Sequence, residues 1–132
     1  MTLFSDKDCD PEQLSPLALA FVGDTVFDLF VREKLIKEAN RPVSDLHAEA
    51  AKTVNAGSQA AFFDRLESVL DEKEKTVMRR GRNAHTRHRP KGASSADYHK
   101  ATGLECLFGY LYLSGRDERL RELFLFITGE EE

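Results

Sequence analysis

The chain has 132 residues, of which 41% are hydrophobic and 32% are charged, and its formal net charge is -4. This length fits one domain, and the composition excludes an intrinsically disordered or fibrous chain. The only two cysteines, Cys9 and Cys106, stand far apart, so we expect no disulfide framework and a reducing compartment. No secretion leader opens the chain, and its most apolar stretch, residues 17–31, is too short for a membrane span. The sequence therefore predicts a cytoplasmic protein with no membrane partner.

The first predicted helix follows a polar, acidic segment, residues 1–14, which we expect to be a flexible tail. Ser15 is a suitable N-cap, and Pro16 suits the first helical position. The helix is predicted to end near Ala39, just before an Asn-Arg-Pro sequence. Because its first half is apolar on almost all sides, we expect that half to be buried.

Three shorter helices are predicted next. The second begins at a Ser44 cap and ends near residue 55, the third covers residues 59–70 after a break at 56–58, and the fourth covers 71–83. The positions expected to face the core are Leu46, Ala50, Ala51 and Val54 in the second helix, and Phe62, Phe63, Leu66, Val69 and Leu70 in the third. The fourth helix has few apolar residues, so we expect it to be mostly solvated.

Residues 84–94 are predicted to form a basic loop with almost no apolar anchor. Ser94 or Ser95 can cap a fifth helix that ends near residue 114, and a sixth helix is predicted over residues 116–128, before an acidic tail at 129–132. No stretch alternates apolar and polar residues for long enough to predict a strand. The fold class predicted is all-α, a single-domain helical bundle of about six helices over residues 15–128.

Charge is distributed unevenly along the chain. Residues 73–100 hold nine basic and two acidic residues, a net charge of +7, although the whole chain is acidic. A local basic block of this kind is typical of a surface that contacts nucleic-acid phosphates. A solvated basic face with no partner is the alternative.

Three carboxylates stand alone in apolar helices. Asp24 and Asp28 are the only charged residues between 17 and 31, and Glu105 is the only one between 101 and 113. A carboxylate in an apolar environment has to be paired, neutralised or bound to a metal ion. Pairing with a distant Arg or Lys, a surface position, or a role at a helix end or with a partner are the alternatives that the sequence leaves open.

Small residues accompany these carboxylates at helical spacing. Ala20 lies one turn from Asp24 on one stripe, and Ala101 and Gly109 lie one turn on either side of Glu105 on another. If the two stripes face each other, the carboxylates converge and repel. A divalent cation relieves that repulsion, and an all-oxygen site of this kind suits Mg²⁺ or Mn²⁺. Carboxylates beside a basic block are also typical of a metal-dependent nuclease.

Two sequence runs carry a resemblance to a known family. The run LALAFVGDTVFD at residues 17–28 resembles the signature helix of the ribonuclease III catalytic domain. The run ATGLECLFGYLYL at residues 101–113 resembles the second acidic helix of that family. The run RRGRNA at residues 79–84, with a later Pro-Lys pair at 90–91 and Tyr98, is similar to the Mini-III branch. The resemblance covers residues 14–125, nearly the whole chain.

The resemblance implies a ribonuclease III endonuclease-like fold and a metal-dependent endoribonuclease that cleaves double-stranded RNA as a homodimer, leaving 5′-phosphomonoester products. It implies that Asp24 and Glu105 are both the catalytic residues and the ligands of Mg²⁺, with Mn²⁺ as the alternative ion. Mini-III enzymes lack a separate double-stranded-RNA-binding domain, and their likeness implies maturation of the large-subunit (23S) ribosomal RNA precursor. A ribosomal protein or the pre-ribosome is then a further expected partner.

The expected RNA-binding residues lie in and beside the basic block: Arg79, Arg80, Arg82, Asn83, His85, Arg87, Arg89, Lys91 and Tyr98. Two acidic positions of the wider family are absent, because Ala20 and Thr102 stand where typical members have Glu and Asp. The resemblance therefore implies one well-held Mg²⁺ whose other ligands are water and RNA phosphate. Asp28 is a candidate helper and not an expected direct ligand. The expected dimer surface lies near the helices of Asp24 and Glu105.

Two other classes of protein fit parts of the sequence. A non-catalytic helical RNA-binding module would use the basic block alone, and its two lone acids would be structural. A helical DNA-binding regulator would also use the basic block but would leave the lone acids unexplained.

Overall fold

The computed structural model describes residues 3–5, 7–84 and 94–129. These residues form six α-helices: α1 (Pro16–Glu38), α2 (Val43–Ala51), α3 (Ala56–Leu66), α4 (Glu72–Arg82), α5 (Ser95–Leu113) and α6 (Asp117–Thr128), with a 3₁₀ turn at Pro11–Gln13. The described part of the chain contains no strand, so the predicted all-α fold with about six helices is confirmed. Within the same residues, no helix is both long enough and apolar enough to cross a membrane.

Helix α5 lies at the centre of the bundle and packs against α1, α3 and α4. Its contact with α1 is made by backbone, because glycines stand at the crossing point. A Cβ atom on Gly23 would lie 1.6 Å from the carbonyl oxygen of Glu105. A Cβ atom on Gly109 would lie 1.9 Å from the carbonyl oxygen of Leu19. No larger side chain fits at either position, so the two glycines fix how closely α1 approaches α5.

A second close crossing joins α5 to α4. A Cβ atom on Gly81 would lie 2.5 Å from the Cβ atom of Cys106, and one on Gly103 would lie 2.7 Å from the carbonyl oxygen of Met78. Two neighbouring helices therefore approach α5 closely, and their side chains have little freedom to move relative to it.

Aromatic rings fill the core between α1, α5 and α6. The Phe27 ring packs edge-on against Phe108 at 5.3 Å and against Phe124 at 5.9 Å. Edge-to-face pairs at such distances add about 0.5–1.5 kcal/mol each to the burial of their apolar area. The core thus fixes the buried side of α1 against α5, at the same crossing as the glycines.

Helix α4 is joined to α6 by a buried ion pair. The Glu74 side chain is 1% exposed, and its carboxylate accepts hydrogen bonds from the Arg119 guanidinium at 2.7 and 2.8 Å. Burial raises the pKa of Glu74, but the hydrogen bonds from Arg119 and from the backbone N–H of Asp71 outweigh it and hold that pKa below its usual value. Asp71 in turn caps α4 in a reciprocal capping box with Glu74.

Two of the predicted caps are confirmed, and one is wrong. Ser15 accepts a hydrogen bond from the backbone N–H of Ala18, and Ser94 caps α5. Ser44 does not cap α2, which begins at Val43 without a side-chain cap. The predicted break at residues 56–58 is also wrong, because Asn55 caps α3 there through the backbone N–H of Ser58. Small residues are compatible with the first turn of a helix once such a cap is present.

Several predicted burial patterns differ from the structure. Ala51 and Val69 are exposed, and α3 ends at Leu66 rather than at residue 70. Helix α4 is not mostly solvated, because it buries one whole face against α5. Helix α1 is not buried on all sides, since Phe21 is 81% exposed. An apolar helix face indicates a packing partner, but that partner need not be another helix of the same chain.

The predicted terminal segments are described only in part. Glu12 accepts hydrogen bonds from the Lys73 ammonium at 2.6 Å and from the Tyr110 hydroxyl at 2.8 Å, so the end of the 1–14 segment contacts α4 and α5. The flexibility of that segment stays a prediction. Residues 130–132 of the acidic tail lie outside the described residues. Cys9 and Cys106 are free thiols.

Candidate active site

Asp24 and Glu105 meet at the glycine crossing of α1 and α5. Gly23, the residue before Asp24, contacts the backbone of Glu105 itself. This contact brings the side chain of Asp24 close enough to Glu105 to raise the pKa of that carboxyl. Asp24 is exposed, whereas Glu105 is half-buried. The pair therefore lies at the surface, with one carboxylate open to solvent and the other held against the helices.

The Glu105 carboxyl has a strongly perturbed acidity. Burial is the largest cause, followed by the hydrogen bond to Asp24 and its negative charge, and together they raise the pKa of Glu105 from 4.5 to about 8. A hydrogen bond from the Gln59 side chain acts in the opposite direction. Two ionised carboxylates at this distance repel unless a proton or a cation lies between them. A cation site is therefore chemically reasonable at this crossing.

The oxygen atoms of this site fit a cation that keeps most of its water. The described residues contain no group of three or more His, Cys, Asp and Glu side chains that could hold a metal ion. Two carboxylates with water and a substrate phosphate suit Mg²⁺, which dehydrates reluctantly. Ala20 and Thr102 add no ligand, because both are buried and the Thr102 hydroxyl donates to the carbonyl of Tyr98.

Asp28 is paired with an arginine of its own helix and is not a member of the carboxylate pair. Its carboxylate is bound to the Arg32 guanidinium at 3.1 Å, one turn further along α1. An exposed pair at this spacing contributes little to stability. The structure thus separates the two aspartates of α1, one beside Glu105 and the other paired with an arginine.

Four of the predicted RNA-binding residues lie at the end of α4 or just beyond it: Arg79, Arg80, Arg82 and Asn83. The Arg79 guanidinium is bound to Glu67 of the α3–α4 connection at 3.0 Å, and Arg80 is exposed. The Arg82 guanidinium lies over the Phe63 ring at 5.7 Å and donates to the Asn83 side chain. These cations extend from the same end of the bundle as the start of α5.

Tyr98 lies in the first turns of α5, half-buried beside the His99 ring at 5.9 Å. It precedes Glu105 by seven residues, which is about 10 Å along a helix axis. Tyr98 thus lies on α5, the helix of Glu105, and α4 packs against that helix. The remaining predicted contacts, His85, Arg87, Arg89 and Lys91, lie outside the described residues.

The residues singled out from the sequence did not include Gln59, which belongs to this site. Its side chain is 5% exposed in the first turns of α3 and lies near enough to Glu105 to lower the pKa of that carboxyl. The one signal in the sequence is an amide among small and apolar residues, which is too common to point to a site.

The comparison with known families identifies the family to which this chain belongs. The model of the ribonuclease III domain matches residues 17–116, a span that contains both carboxylates. The chain belongs to the ribonuclease III family. The predicted resemblance is therefore confirmed over most of the chain.

Individual relatives place the chain within the ribonuclease III family. It is 47% identical to a Mini-ribonuclease 3 of Thermoanaerobacter sp. (strain X514), over 83% of this chain and 78% of that protein. It is 46% identical to a Mini-ribonuclease 3 of Symbiobacterium thermophilum, over 86% and 88%. A crystal structure of a Fusobacterium nucleatum protein superposes with a TM-score of 0.81 at 27% identity, covering 91% of this chain and 96% of the other. The chain is thus a member of the Mini-III branch.

Membership of the ribonuclease III family makes the chain an endoribonuclease that acts on double-stranded RNA. Members of this family generally need a divalent metal ion and generally work as dimers. The two alternatives drawn from the sequence, a non-catalytic RNA-binding module and a DNA-binding regulator, are both less consistent with this membership.

Proposed function

We propose that Asp24 and Glu105 are the catalytic, metal-binding pair of a Mg²⁺-dependent endoribonuclease. The observation that supports this proposal is their convergence at the glycine crossing, where the two carboxylates repel and the pKa of Glu105 is raised to about 8. A structural ion pair would instead bring an arginine or lysine to the buried acid, as Arg119 does for Glu74. Glu105 has an acid and an amide as its partners.

The two carboxylates have separate parts in this proposal. Asp24 would hold the ion from the exposed side, where the RNA phosphate and solvent can reach it. Glu105 would hold the ion from the half-buried side. When bound, Mg²⁺ supplies a Lewis acid that acidifies a water molecule and stabilises the charge on the scissile phosphate. Hydrolysis would add a water oxygen to phosphorus and break its bond to the 3′ oxygen, so the products would carry a 5′-phosphate and a 3′-hydroxyl.

The RNA backbone is proposed to bind along the end of α4 and the start of α5. Arg79, Arg80, Arg82 and Asn83 offer donors to phosphates, and Tyr98 offers a hydroxyl about two helical turns before Glu105 on α5. His85, Arg87, Arg89 and Lys91 follow directly in the sequence, and we propose that they also contact RNA. Since A-form RNA hides its base edges in a deep groove, such contacts recognise shape more than sequence.

A second copy of the chain is proposed to cover the exposed apolar side of α1. Leu17, Phe21 and Leu29 are 39%, 81% and 50% exposed along this helix. Phe21 and Leu29 line a groove of about 500 Å³ whose other walls come from α5, α6 and the N-terminal segment. This face lies beside Asp24, so dimerisation would place two active sites on one duplex, one for each strand.

The proposed substrate is the precursor of the large-subunit (23S) ribosomal RNA in the cytoplasm. The support is the degree of identity to Mini-ribonuclease 3 proteins over most of both chains. A ribosomal protein or the pre-ribosome then becomes an accessory partner that presents the duplex.

Cleavage of a long double-stranded RNA, with and without Mg²⁺ or Mn²⁺, tests the proposed function. Asp24→Asn and Glu105→Gln should each slow Mg²⁺-dependent cutting by about 10²-fold or more while RNA binding persists. Asp28→Asn, on the same helix but paired with Arg32, is the matched control and should cut normally. End-group analysis of the products should find 5′-phosphates. Binding without cutting, unchanged by either substitution, would instead indicate an RNA-binding module with structural acids.

A further inference from the structure

Three basic side chains of the 73–100 block converge on one side of α3. The Arg82 guanidinium lies 5.7 Å from the centre of the Phe63 ring, and the Lys100 ammonium lies 5.9 Å from the same centre. Arg79 is one turn before Arg82, so the two guanidinium groups share a face of α4. Helices α4 and α5 thus place Arg79, Arg82 and Lys100, the Phe63 cluster, beside one aromatic residue of α3.

Two carboxylates near the end of α3 neutralise two of these cations. Asp64 accepts a hydrogen bond from the Lys100 ammonium at 2.7 Å, and Glu67 binds the Arg79 guanidinium at 3.0 Å. The two carboxylates are three residues apart, so their side chains are neighbours. The Arg82 guanidinium donates to a neutral amide instead. The acids therefore come from outside the 73–100 block and lower the charge that the block presents.

Both ion pairs are open to solvent. Their four side chains are between 33% and 57% exposed. An exposed pair contributes little to stability, so an anion that offers equivalent oxygens can replace the carboxylate at small cost. A phosphate is such an anion, because its oxygens accept charge-assisted hydrogen bonds from ammonium and guanidinium groups. A structural role, in which the pairs only hold α3 against α4 and α5, is the alternative interpretation.

The Phe63 cluster is separate from the proposed active site. Lys100 precedes Glu105 by five residues on α5, which is about 7.5 Å along the helix axis and about 140° around it. The acids that pair with the cluster come from α3 and the residues that follow it, whereas Asp24 belongs to α1. A phosphate bound by the cluster is therefore not the scissile phosphate but another one on the same duplex.

We propose that the Phe63 cluster is a phosphate-binding site for duplex RNA, and that Asp64 and Glu67 occupy its cations until the RNA displaces them. This proposal rests on the proposed function, because the phosphates are those of its double-stranded substrate. It adds Lys100 to the RNA-binding residues. It also gives the two carboxylates a role in selectivity, since they lower the affinity for any single phosphate. A duplex that engages several cations at once displaces both.

Duplex RNA binding by the two partners of one ion pair tests this proposal, in the absence of divalent cations so that no RNA is cut. Lys100→Gln should weaken binding about two- to fivefold, the range of an exposed ion pair, and reduce the salt slope by about one. Asp64→Asn should tighten binding by a similar factor, and the gain should shrink at high salt because the charges are screened. Glu67→Gln should tighten binding in the same way. A structural pair would instead give both partners the same effect.

Glu49→Gln is the matched control, because it breaks an exposed ion pair with Lys52 on α2 at 2.8 Å and changes the net charge equally. It should leave RNA affinity unchanged. If Lys100→Gln and Asp64→Asn both weaken binding, or both leave it unchanged, the proposal is wrong, while duplex cleavage by the parent would still support the proposed function. Equal tightening by Asp64→Asn and Glu49→Gln would reveal a general effect of charge and also overturn it. A parent that binds no duplex RNA overturns both proposals.

Discussion

Among the individual residues, Glu105 is the most informative about this site, because its pKa is strongly raised. Its carboxyl has a pKa near 8 because it is half-buried beside another acid. In the unfolded chain the same carboxyl would titrate near its usual value of 4.5. Between pH 4.5 and about pH 8, the Glu105 carboxyl of the folded protein keeps a proton that the unfolded chain releases. The site therefore makes folding less favourable as pH rises, until a cation replaces the proton.

We expect the free energy of unfolding of the metal-free protein to fall between about pH 5 and pH 8. The reference is Glu105→Gln, whose side chain does not titrate. The difference between the two proteins should change by at most about 1.4 kcal/mol per pH unit within that window. Urea denaturation in the presence of a chelator measures it. Adding Mg²⁺ at pH 8 should restore stability to the parent only. Parallel curves for the two proteins would show that Glu105 titrates normally.

The individual residues show how far a sequence can predict a site. Asp24 and Glu105 could be singled out because an isolated acid in an apolar helix is chemically conspicuous. Gln59 could not be singled out, because its position near Glu105 depends on which helix packs beside that residue. The exposure of Asp24 was only one of the alternatives left open for a related reason, because an apolar helix predicts burial but does not say whether residues of the same chain cover it.

At the scale of the helices, two glycines determine the separation of Asp24 and Glu105. Gly23 and Gly109 allow the backbones of α1 and α5 to touch, and each has a neighbour where a Cβ atom would be. From the sequence, Gly109 was placed in a stripe of small residues, but Gly23 was not, and whether the two stripes face each other was left open. The boundaries of α2 and α3 were less predictable, since a single Asn cap outweighed a run of small residues that suggests a break.

Gly23→Ala should separate the two helices. Its Cβ atom would lie 1.6 Å from the Glu105 carbonyl oxygen, so the backbones have to move apart. We expect a loss of stability of about 3 kcal/mol or more, above the usual cost of overpacking, together with loss of Mn²⁺ binding. Gly57→Ala is the matched control, because its nearest neighbours would be 3.4 and 3.8 Å away in the first turn of α3. It should leave stability unchanged or raise it by up to about 1 kcal/mol.

Thermal unfolding monitored by circular dichroism, with Mn²⁺ binding measured on the same samples, distinguishes the two glycine variants. A Gly23→Ala protein that keeps the parent melting temperature would show that α1 and α5 are not in backbone contact. A variant that melts earlier but binds Mn²⁺ with unchanged affinity would show that the separation of the acids tolerates a shift of the helices.

At the scale of the whole molecule, charge and apolar surface are segregated. Basic residues of the 73–100 block meet where α4 ends and α5 begins, whereas exposed apolar residues lie along α1. The acidic carboxylates lie between these two surfaces. A nuclease that binds a duplex and a second subunit at once needs both surfaces beside its active site. The sequence predicted the basic surface residue by residue, but it predicted the dimer surface only as lying near the helices of Asp24 and Glu105.

Phe21→Ser tests whether the apolar side of α1 is the dimer interface. Phe21 is 81% exposed in the single chain, so the substitution should not disturb the fold, but it would remove an aromatic side chain from the interface. Burying a residue of this size contributes about 1.5–3 kcal/mol, and a two-fold interface buries Phe21 from both subunits, so the dissociation constant should rise by about 10²-fold or more. Sedimentation equilibrium measures that constant. Ile36→Ser, on the same helix and 57% exposed but outside the groove that Phe21 lines, is the control and should remain dimeric.

The same substitution should change the pattern of cleavage. A monomer has one active site, so dilute Phe21→Ser should nick one strand of a duplex where the parent cuts both, and raising the protein concentration should restore double-strand cutting. Native gels of a duplex labelled on each strand resolve nicked from fully cut products. If Phe21→Ser stays dimeric and cuts both strands at every concentration, the second subunit binds elsewhere and the exposed apolar face of α1 has another partner.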